Sequence, residues 1–192
     1  MQILAFNGSP RAKGNTSTII SAILDGAKAK GAETVEIKLH DIDLKGCMGC
    51  LKCRENPGKC SQKDDLSQYL EAIKTCTGIV IGCPIYMYHI AGQMKIMVDR
   101  FYSLYMSKET AGEYESAVPA GKSYALVTSQ GHPDPESYMR PIRWLAGMTG
   151  GGLGFEEKGR IVHANSHDQP AKDMDEILKE AYDIGQKLVG NS

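Results

Sequence analysis

Apolar runs that alternate with helical patterns are the feature that most constrains the fold of this chain. Almost continuously apolar runs at 2–6, 78–83 and 124–128 predict buried strands over 2–7, 78–83 and 122–129, and the strict alternation at 34–39 predicts an edge strand. A further strand is expected within 153–163. The predicted helices between and after these strands cover 15–30, 64–75, 92–105, 134–148 and 170–189. Strand followed by helix, five times in succession, predicts a parallel sheet with helices on both faces.

The burial pattern of the strands also predicts their order in the sheet. Strands that are apolar on both faces belong in the centre, whereas the alternating run at 34–39 and the glycine-containing run within 153–163 suit the edges. This corresponds to an α/β, flavodoxin-like three-layer sandwich with a five-stranded parallel sheet in the order 2-1-3-4-5. We expect residues 1–192 to form a single domain, with a cysteine-rich loop at 45–63.

Charge and hydropathy exclude several classes of partner. The chain has 22 basic and 23 acidic residues, which nearly cancel and give no electrostatic reason to expect nucleic acid or a membrane surface. The amino terminus lacks the pattern of a signal peptide, and no apolar stretch approaches the ~20 residues that span a bilayer. We therefore expect a cytoplasmic protein.

The loop after the first predicted strand has the composition of an anion site. Residues 8–16 carry two glycines, hydroxyl and amide side chains and the Arg11 guanidinium, and they lead into a helix whose N-terminal N–H groups favour a phosphate. A P-loop is excluded because Gly8 and Gly14 are one residue too far apart and Asn15 replaces the lysine. The dinucleotide-binding fingerprint G-x-G-x-x-G is also excluded, because Gly8 and Gly14 do not have its spacing. A simple turn with Asn15 or Thr16 as a helix cap is the alternative.

The motif Gly8-Ser9-Pro10-Arg11 followed by Gly14-Asn15-Thr16 resembles the phosphate loop of the NADPH-dependent FMN reductase group of the flavodoxin-like superfamily. The likeness continues through the segments 83–88, 92–100 and 128–132. It implies that FMN is the cofactor and that the flavin phosphate is held by Ser9, Arg11, Asn15, Thr16 and Ser17. It further implies a flavin wall and a set of backbone donors formed by Pro84, Ile85, Tyr86, Met87, Tyr88, Thr128, Ser129 and Gly131.

Four cysteines follow the second predicted strand with unusually close spacing. Cys47, Cys50, Cys53 and Cys60 spell C-x2-C-x2-C-x6-C, and three closely spaced thiolates with a fourth nearby suit a [4Fe–4S] cluster. The quartet resembles that of the iron–sulfur flavoproteins, a branch of the same superfamily that binds such a cluster at this loop. A zinc site, a redox disulfide and metal-free thiols stay open as alternatives. Cys76 and Cys83 are expected to be buried structural thiols.

The resemblance implies an FMN-dependent oxidoreductase that moves electrons between NAD(P)H or a reduced carrier and a quinone, flavin, iron–sulfur or oxygen acceptor. Because the flavin carries the chemistry, no catalytic acid, base or nucleophile is assigned. The alternatives are a non-catalytic electron carrier, a reductase without a cluster, and a zinc-stabilised interaction domain. A homodimer or homotetramer is implied, with Tyr102, Tyr105 and Tyr114 as interface candidates. The polar stretch 106–121 is either a lid over the flavin or a surface loop.

Overall fold

The computed structural model describes residues 1–108 and 113–190 and has the predicted α/β architecture. In the described chain the strands are β1 (Gln2–Asn7), β2 (Glu33–Lys38), β3 (Gly78–Tyr86), β4 (His89–Ile90), β5 (Tyr105–Ser107), β6 (Tyr114–Ser116), β7 (Ser123–Ser129) and β8 (Glu156–His163). The helices are α1 (Asn15–Ala29), α2 (Lys52–Glu55), α3 (Leu66–Thr75), α4 (Gly92–Arg100), α5 (Met139–Ala146) and α6 (Asp175–Val189).

The main sheet has the order β2-β1-β3-β7-β8, and all pairings along it are parallel. This confirms the predicted order 2-1-3-4-5 of the five parallel strands. Every residue of β7 and the first seven of β3 are buried, while β2 at the edge is largely half-buried or exposed. Buried apolar residues form one core cluster on each face of the sheet, as expected for central strands covered by helices on both sides.

Helices α1 and α6 pack together at unusually close range. A Cβ built on Gly26 would lie 2.0 Å from the Tyr182 carbonyl oxygen, and one built on Gly185 would lie 1.9 Å from the Ile23 carbonyl oxygen. Only glycine allows this approach of the two backbones. The contact holds the second half of α1 against α6.

Several predicted boundaries were wrong. The strand predicted at 78–83 continues to Tyr86, because its last two residues pair with β4 in a short antiparallel hairpin. The helix predicted at 92–105 ends at Arg100 and passes into a 3-10 turn. The helix predicted at 134–148 is divided into a 3-10 turn, α5 and a π-helical segment over Gly147–Gly152, where the run of glycines weakens α-helix formation.

The stretch 106–121 contains a hairpin that the sequence did not predict. Strands β5 and β6 pair in an antiparallel manner, and residues 109–112 of the stretch lie outside the described residues. Among the described residues, no helix is long and apolar enough to cross a membrane.

Candidate functional site

A cavity of about 610 Å³ lies at the edge of the sheet where the parallel strands end. This volume falls within the range typical of cofactor sites. The last three residues of β3 and the loops after β1, β7 and β8 all contribute to its lining. The predicted cofactor residues that line it are Ser9, Arg11, Asn15, Thr16, Pro84, Ile85, Tyr86, Ser129 and Gly131.

Two buried side chains, those of Asn7 and Ser17, support the first loop through hydrogen bonds. Asn7 accepts a hydrogen bond from the Ser9 N–H at 2.9 Å and donates to the Ser17 hydroxyl at 2.9 Å. Ser17 in turn donates to the Arg11 carbonyl oxygen at 2.8 Å. Ser17, a predicted phosphate ligand, therefore supports the loop and does not line the cavity with its side chain.

Helix α1 begins at the cavity with its first N–H groups available. Its N-cap residue is Gly14, and no described side chain caps it. The first turn of a helix leaves N–H groups without intrahelical partners, and a 15-residue helix adds its positive dipole end. An anion is the natural partner for such a helix end.

Asn15 and Thr16 tie the first loop to other parts of the site. The Thr16 and Ser129 hydroxyls share a hydrogen bond, which joins the loops after β1 and β7. The Asn15 amide nitrogen donates to the Ser166 carbonyl oxygen at 2.8 Å, and its oxygen accepts from the Ala171 N–H at 2.8 Å. Asn15 therefore holds the loop after β8 and keeps one amide N–H for a ligand.

The carboxyl end of β3 supplies a largely apolar wall. Pro84, Ile85 and Tyr86 line the cavity. Met87 and Tyr88 adopt left-handed backbone angles, with φ of 45° and 66°, at the turn of the β3–β4 hairpin. Their side chains are 89% and 72% exposed and do not line the cavity. These two predicted flavin contacts thus protrude beyond the site in the isolated chain.

The end of β7 and the loop after it contain two buried polar atoms without protein partners among the described residues. Gln130 is buried, and its amide nitrogen donates to the Asp134 carbonyl oxygen at 2.8 Å. Among the described residues, the Gln130 Oε1 and the Thr128 Oγ1 have no hydrogen-bond partner. Buried polar atoms of this kind normally find a partner in protein, water or ligand. Thr128 does not line the cavity, although Ser129, Gln130 and Gly131 do.

The ionisable side chains with opposite signs of charge are unequally represented in the cavity lining, which contains basic residues and no acidic ones among the described residues. Arg11, Lys13 and His167 are among the residues that line it, and none of its described lining residues is acidic. The basic side chains accompany the open end of α1, so this end of the cavity favours an anionic group. The lining residues that were not predicted are Lys13, Gly14, Gln130, Ser166, His167 and Pro170.

The four clustered cysteines line a second, much smaller cavity. Its volume of about 20 Å³ accommodates about one water molecule. Cys47 and Cys50 are exposed, Cys60 is half-buried and Cys53 is buried. In the described chain, no group of three or more His, Cys, Asp or Glu side chains is arranged to hold a metal ion. The donor set suits a cluster chemically, but a cluster would require more space between the four sulfur atoms than this cavity offers.

Arg100 is the nearest partner of the cysteine site that the sequence did not identify. Its Nε donates to the Cys60 Sγ at 3.2 Å and its Nη1 donates to the Lys45 carbonyl oxygen at 2.8 Å. At the other side of the loop, the Ser61 hydroxyl lies 3.5 Å from the Cys50 Sγ. This contact and the Lys52 N–H lower the pKa of the Cys50 thiol.

The hairpin β5–β6 contacts the cysteine loop. The Arg54 guanidinium carbon lies 4.1 Å from the Tyr102 ring centroid and 5.4 Å from that of Tyr114, which is cation–π geometry. None of the described residues of 106–121 lines the larger cavity. Tyr102 and Tyr114 thus have contacts within the chain, and the half-buried Tyr105 hydroxyl lies 3.4 Å from the Met148 carbonyl oxygen.

Cys76 and Cys83 are buried, as predicted. Burial raises the pKa of the Cys76 thiol to about 11 and that of Cys83 to about 12. His89 and His132, which were left out of the predicted site, do not line the larger cavity.

Comparison with known proteins gives a consistent result. The sequence model of the family described as NADPH-dependent FMN reductase matches residues 1–134. An iron–sulfur flavoprotein of Methanocaldococcus jannaschii is 34% identical over 123 residues, which cover 64% of this chain and 63% of that protein. An iron–sulfur flavoprotein of Archaeoglobus fulgidus is 26% identical over 191 residues, which cover 98% of this chain and 79% of the relative.

Solved structures have the same fold at lower identity. An FMN-dependent NADH-azoreductase from Bacillus anthracis has a TM-score of 0.73 at 16% identity, covering 98% of this chain and 99% of that one. An NAD(P)H:quinone oxidoreductase from Methanothermobacter marburgensis has a TM-score of 0.74 at 14% identity, covering 98% of each chain. Some curated relatives are considerably longer than the matched region: the match spans 63% of the M. jannaschii protein and 48% of another A. fulgidus iron–sulfur flavoprotein.

Proposed function

Because this chain belongs to the NADPH-dependent FMN reductase family, we propose that it is an FMN-dependent oxidoreductase. It would take electrons from NAD(P)H or a reduced carrier and pass them to a quinone, flavin or iron–sulfur acceptor. Bound FMN supplies hydride and one-electron chemistry, while the protein supplies binding, orientation and exclusion of water.

The observation that carries this proposal is the distribution of basic and apolar residues around the 610 Å³ cavity. One end combines the open N-terminus of α1 with Arg11 and Lys13, and it suits a phosphate. The wall of Pro84, Ile85 and Tyr86 suits a flat aromatic ring. A ligand with a phosphate at one end and a fused ring at the other matches both.

In this proposal, Ser9, Arg11 and the N–H groups of Asn15, Thr16 and Ser17 hold the phosphate. Pro84 to Tyr86 contact the ring, and the N–H groups around Ser129 and Gly131 reach its polar edge. Gln130, which also lines the cavity, would offer its unpartnered Oε1 as an acceptor. Met87 and Tyr88, which protrude from the hairpin, would contact the ring's outer margin or a second subunit of a homodimer or homotetramer.

We further propose that Cys47, Cys50, Cys53 and Cys60 hold a [4Fe–4S] cluster. Support comes from the composition of the donor set, from their shared cavity and from the iron–sulfur flavoproteins among the relatives. Arg100 would donate a hydrogen bond to the Cys60 sulfur, a contact that stabilises negative charge at the ligand. We also propose a cytoplasmic location, because clustered cysteines serve metal or redox chemistry more often than structural disulfides in a reducing compartment.

The test is purification without oxygen, followed by a visible spectrum and assays for iron, sulfide and zinc. Flavin bands, about four irons per chain and broad absorption near roughly 400 nm that bleaches on reduction would support both cofactors. Cys50→Ser should lower the iron content, whereas the matched control Cys76→Ala, at a buried cysteine outside the quartet, should keep it. Flavin without iron would leave thiol or zinc chemistry at the quartet.

Catalysis is tested separately from binding. Turnover of NAD(P)H with a quinone would support a reductase, and FMN that is reduced and reoxidised only by carrier proteins would indicate an electron carrier. Arg11→Ala should weaken FMN binding, whereas Lys30→Ala, at the far end of α1, should not. If reconstitution with FMN gives no bound flavin, the proposed function is wrong.

A further inference from the structure

The loop after β8 is bonded to two of the loops that form the larger cavity. The Ser166 N–H donates to the Gln130 carbonyl oxygen at 3.0 Å, and the Asn165 N–H donates to the His132 carbonyl oxygen at 3.0 Å. The Asn15 side chain bonds both the Ser166 carbonyl oxygen and the Ala171 N–H. The loop is therefore held against the start of α1 and against the loop after β7.

His167 is the residue that this arrangement brings into the cavity. It directly follows Ser166, whose carbonyl oxygen is held by the first residue of α1. Its ring lies against Gly131, since a Cβ built there would be 2.6 Å from the His167 Nε2 and Cδ2. Gly131 thus leaves the space that the imidazole occupies. The side chain shares the cavity lining with Arg11 and Lys13.

We propose that His167 binds the anionic end of the cofactor, so that the loop after β8 is a fourth cofactor-binding loop. An imidazole N–H would donate to a phosphate oxygen. The inference rests on the proposed function, because it takes FMN as the ligand. Asn15 then has two tasks: its backbone meets the phosphate and its side chain holds His167 in place.

The experiment compares FMN with riboflavin, which differ by the phosphate alone. Dissociation constants of the flavin-free protein are measured by quenching of flavin fluorescence for the parent chain, His167→Ala and His167→Gln. His40→Ala is the matched control, because His40 is an exposed histidine outside the cavity lining. Thermal unfolding of each variant checks that the fold is intact.

We expect His167→Ala to weaken FMN binding about tenfold and to leave riboflavin binding within about twofold, as for loss of a hydrogen bond to a charged group. His167→Gln, which keeps an N–H donor, should recover part of the loss. His40→Ala should change neither ligand.

Equal losses for FMN and riboflavin, or no loss for either, would overturn the assignment of His167 while leaving the proposed function in place. If the parent chain binds riboflavin as tightly as FMN, no phosphate site exists and the inference is wrong. A parent chain that binds neither flavin would overturn the proposed function, and the inference with it.

Discussion

Arg100 and Asp64 form an ion pair in which both side chains are fully buried, with the Nη1 and Oδ2 atoms 2.6 Å apart. Burial by itself raises the pKa of the Asp64 carboxyl, but hydrogen bonds from Arg100, the Lys45 N–H and Ser67 hold it below its usual value. The pair joins the end of α4 to the beginning of α3 and, through Cys60 and the Lys45 carbonyl, to both ends of the cysteine loop.

Breaking this pair should be strongly destabilising. Arg100→Met leaves the Asp64 carboxylate buried without its partner, which costs about 3–5 kcal/mol. Urea-induced unfolding of the metal-free protein measures the change in the free energy of unfolding. The double variant Arg100→Met with Asp64→Leu should recover much of the loss, because no uncompensated charge is left.

The matched control is the exposed pair of Lys28 and Asp25, in which both side chains are more than half exposed. Lys28→Met should lower the free energy of unfolding by less than about 1 kcal/mol. Similar losses for Lys28→Met and Arg100→Met would contradict a special role of the buried pair.

The cysteines should separate into reactive and protected sets. In folded, metal-free protein, the exposed Cys47 and Cys50 should be alkylated first, while Cys76 and Cys83 should stay unmodified. Burial keeps the pKa of the last two far above neutral pH, so almost no thiolate is present. Peptide mapping by mass spectrometry after a short exposure to iodoacetamide measures the order. Early labelling of Cys83 in folded protein would show that the core is not closed as described.

The contact between α1 and α6 predicts sharp intolerance at two glycines. Gly185→Ala places a methyl group 1.9 Å from the Ile23 carbonyl oxygen, so the helices must separate, at a cost of about 1–3 kcal/mol or more. Gly147→Ala is the control, because it has helical angles and open space around its Cβ position. This control should be neutral or stabilising by about 0.5–1 kcal/mol. Chemical denaturation curves measure the free energy of unfolding of both variants. An unchanged free energy for Gly185→Ala would contradict the close packing.

We expect the protonation of His163 to contribute to the pH dependence of stability. Burial lowers the pKa of His163, although the hydrogen bond from its Nε2 to the Gln169 carbonyl at 2.8 Å acts in the opposite direction. The folded state therefore disfavours the protonated ring. Its contribution to stability is complete above the unfolded value of about pH 6.5 and is lost as the pH falls from there through the folded pKa.

The measurement is the melting temperature between pH 7.5 and pH 5 for the parent chain and for His163→Gln. The parent should lose more stability than the variant across this window, because only the parent can bind the additional proton on unfolding. Parallel curves would indicate that His163 does not contribute.

Much of the fold could be predicted because it follows from short-range pattern. The continuous apolar runs became buried strands, and the alternating residues of β2 became an edge strand, as the physics of two-sided and one-sided burial requires. The ends of elements were less predictable. At the end of α4, Arg100 is bonded to Asp64 and Cys60, and no pattern within 92–105 contains that information.

The sequence by itself determined the loop after β1 and the cysteine quartet, because glycine spacing, hydroxyl side chains and thiols are properties of consecutive residues. Only the tertiary structure decided where the side chains go. Asn15 bonds Ser166, 151 residues away, and Arg100 bonds Cys60, 40 residues away. The same holds for His167, which reaches the cavity only because α1 begins, and β8 ends, at the same edge of the sheet. Contacts between distant segments depend on the packing of the whole sheet, and local periodicity does not record them.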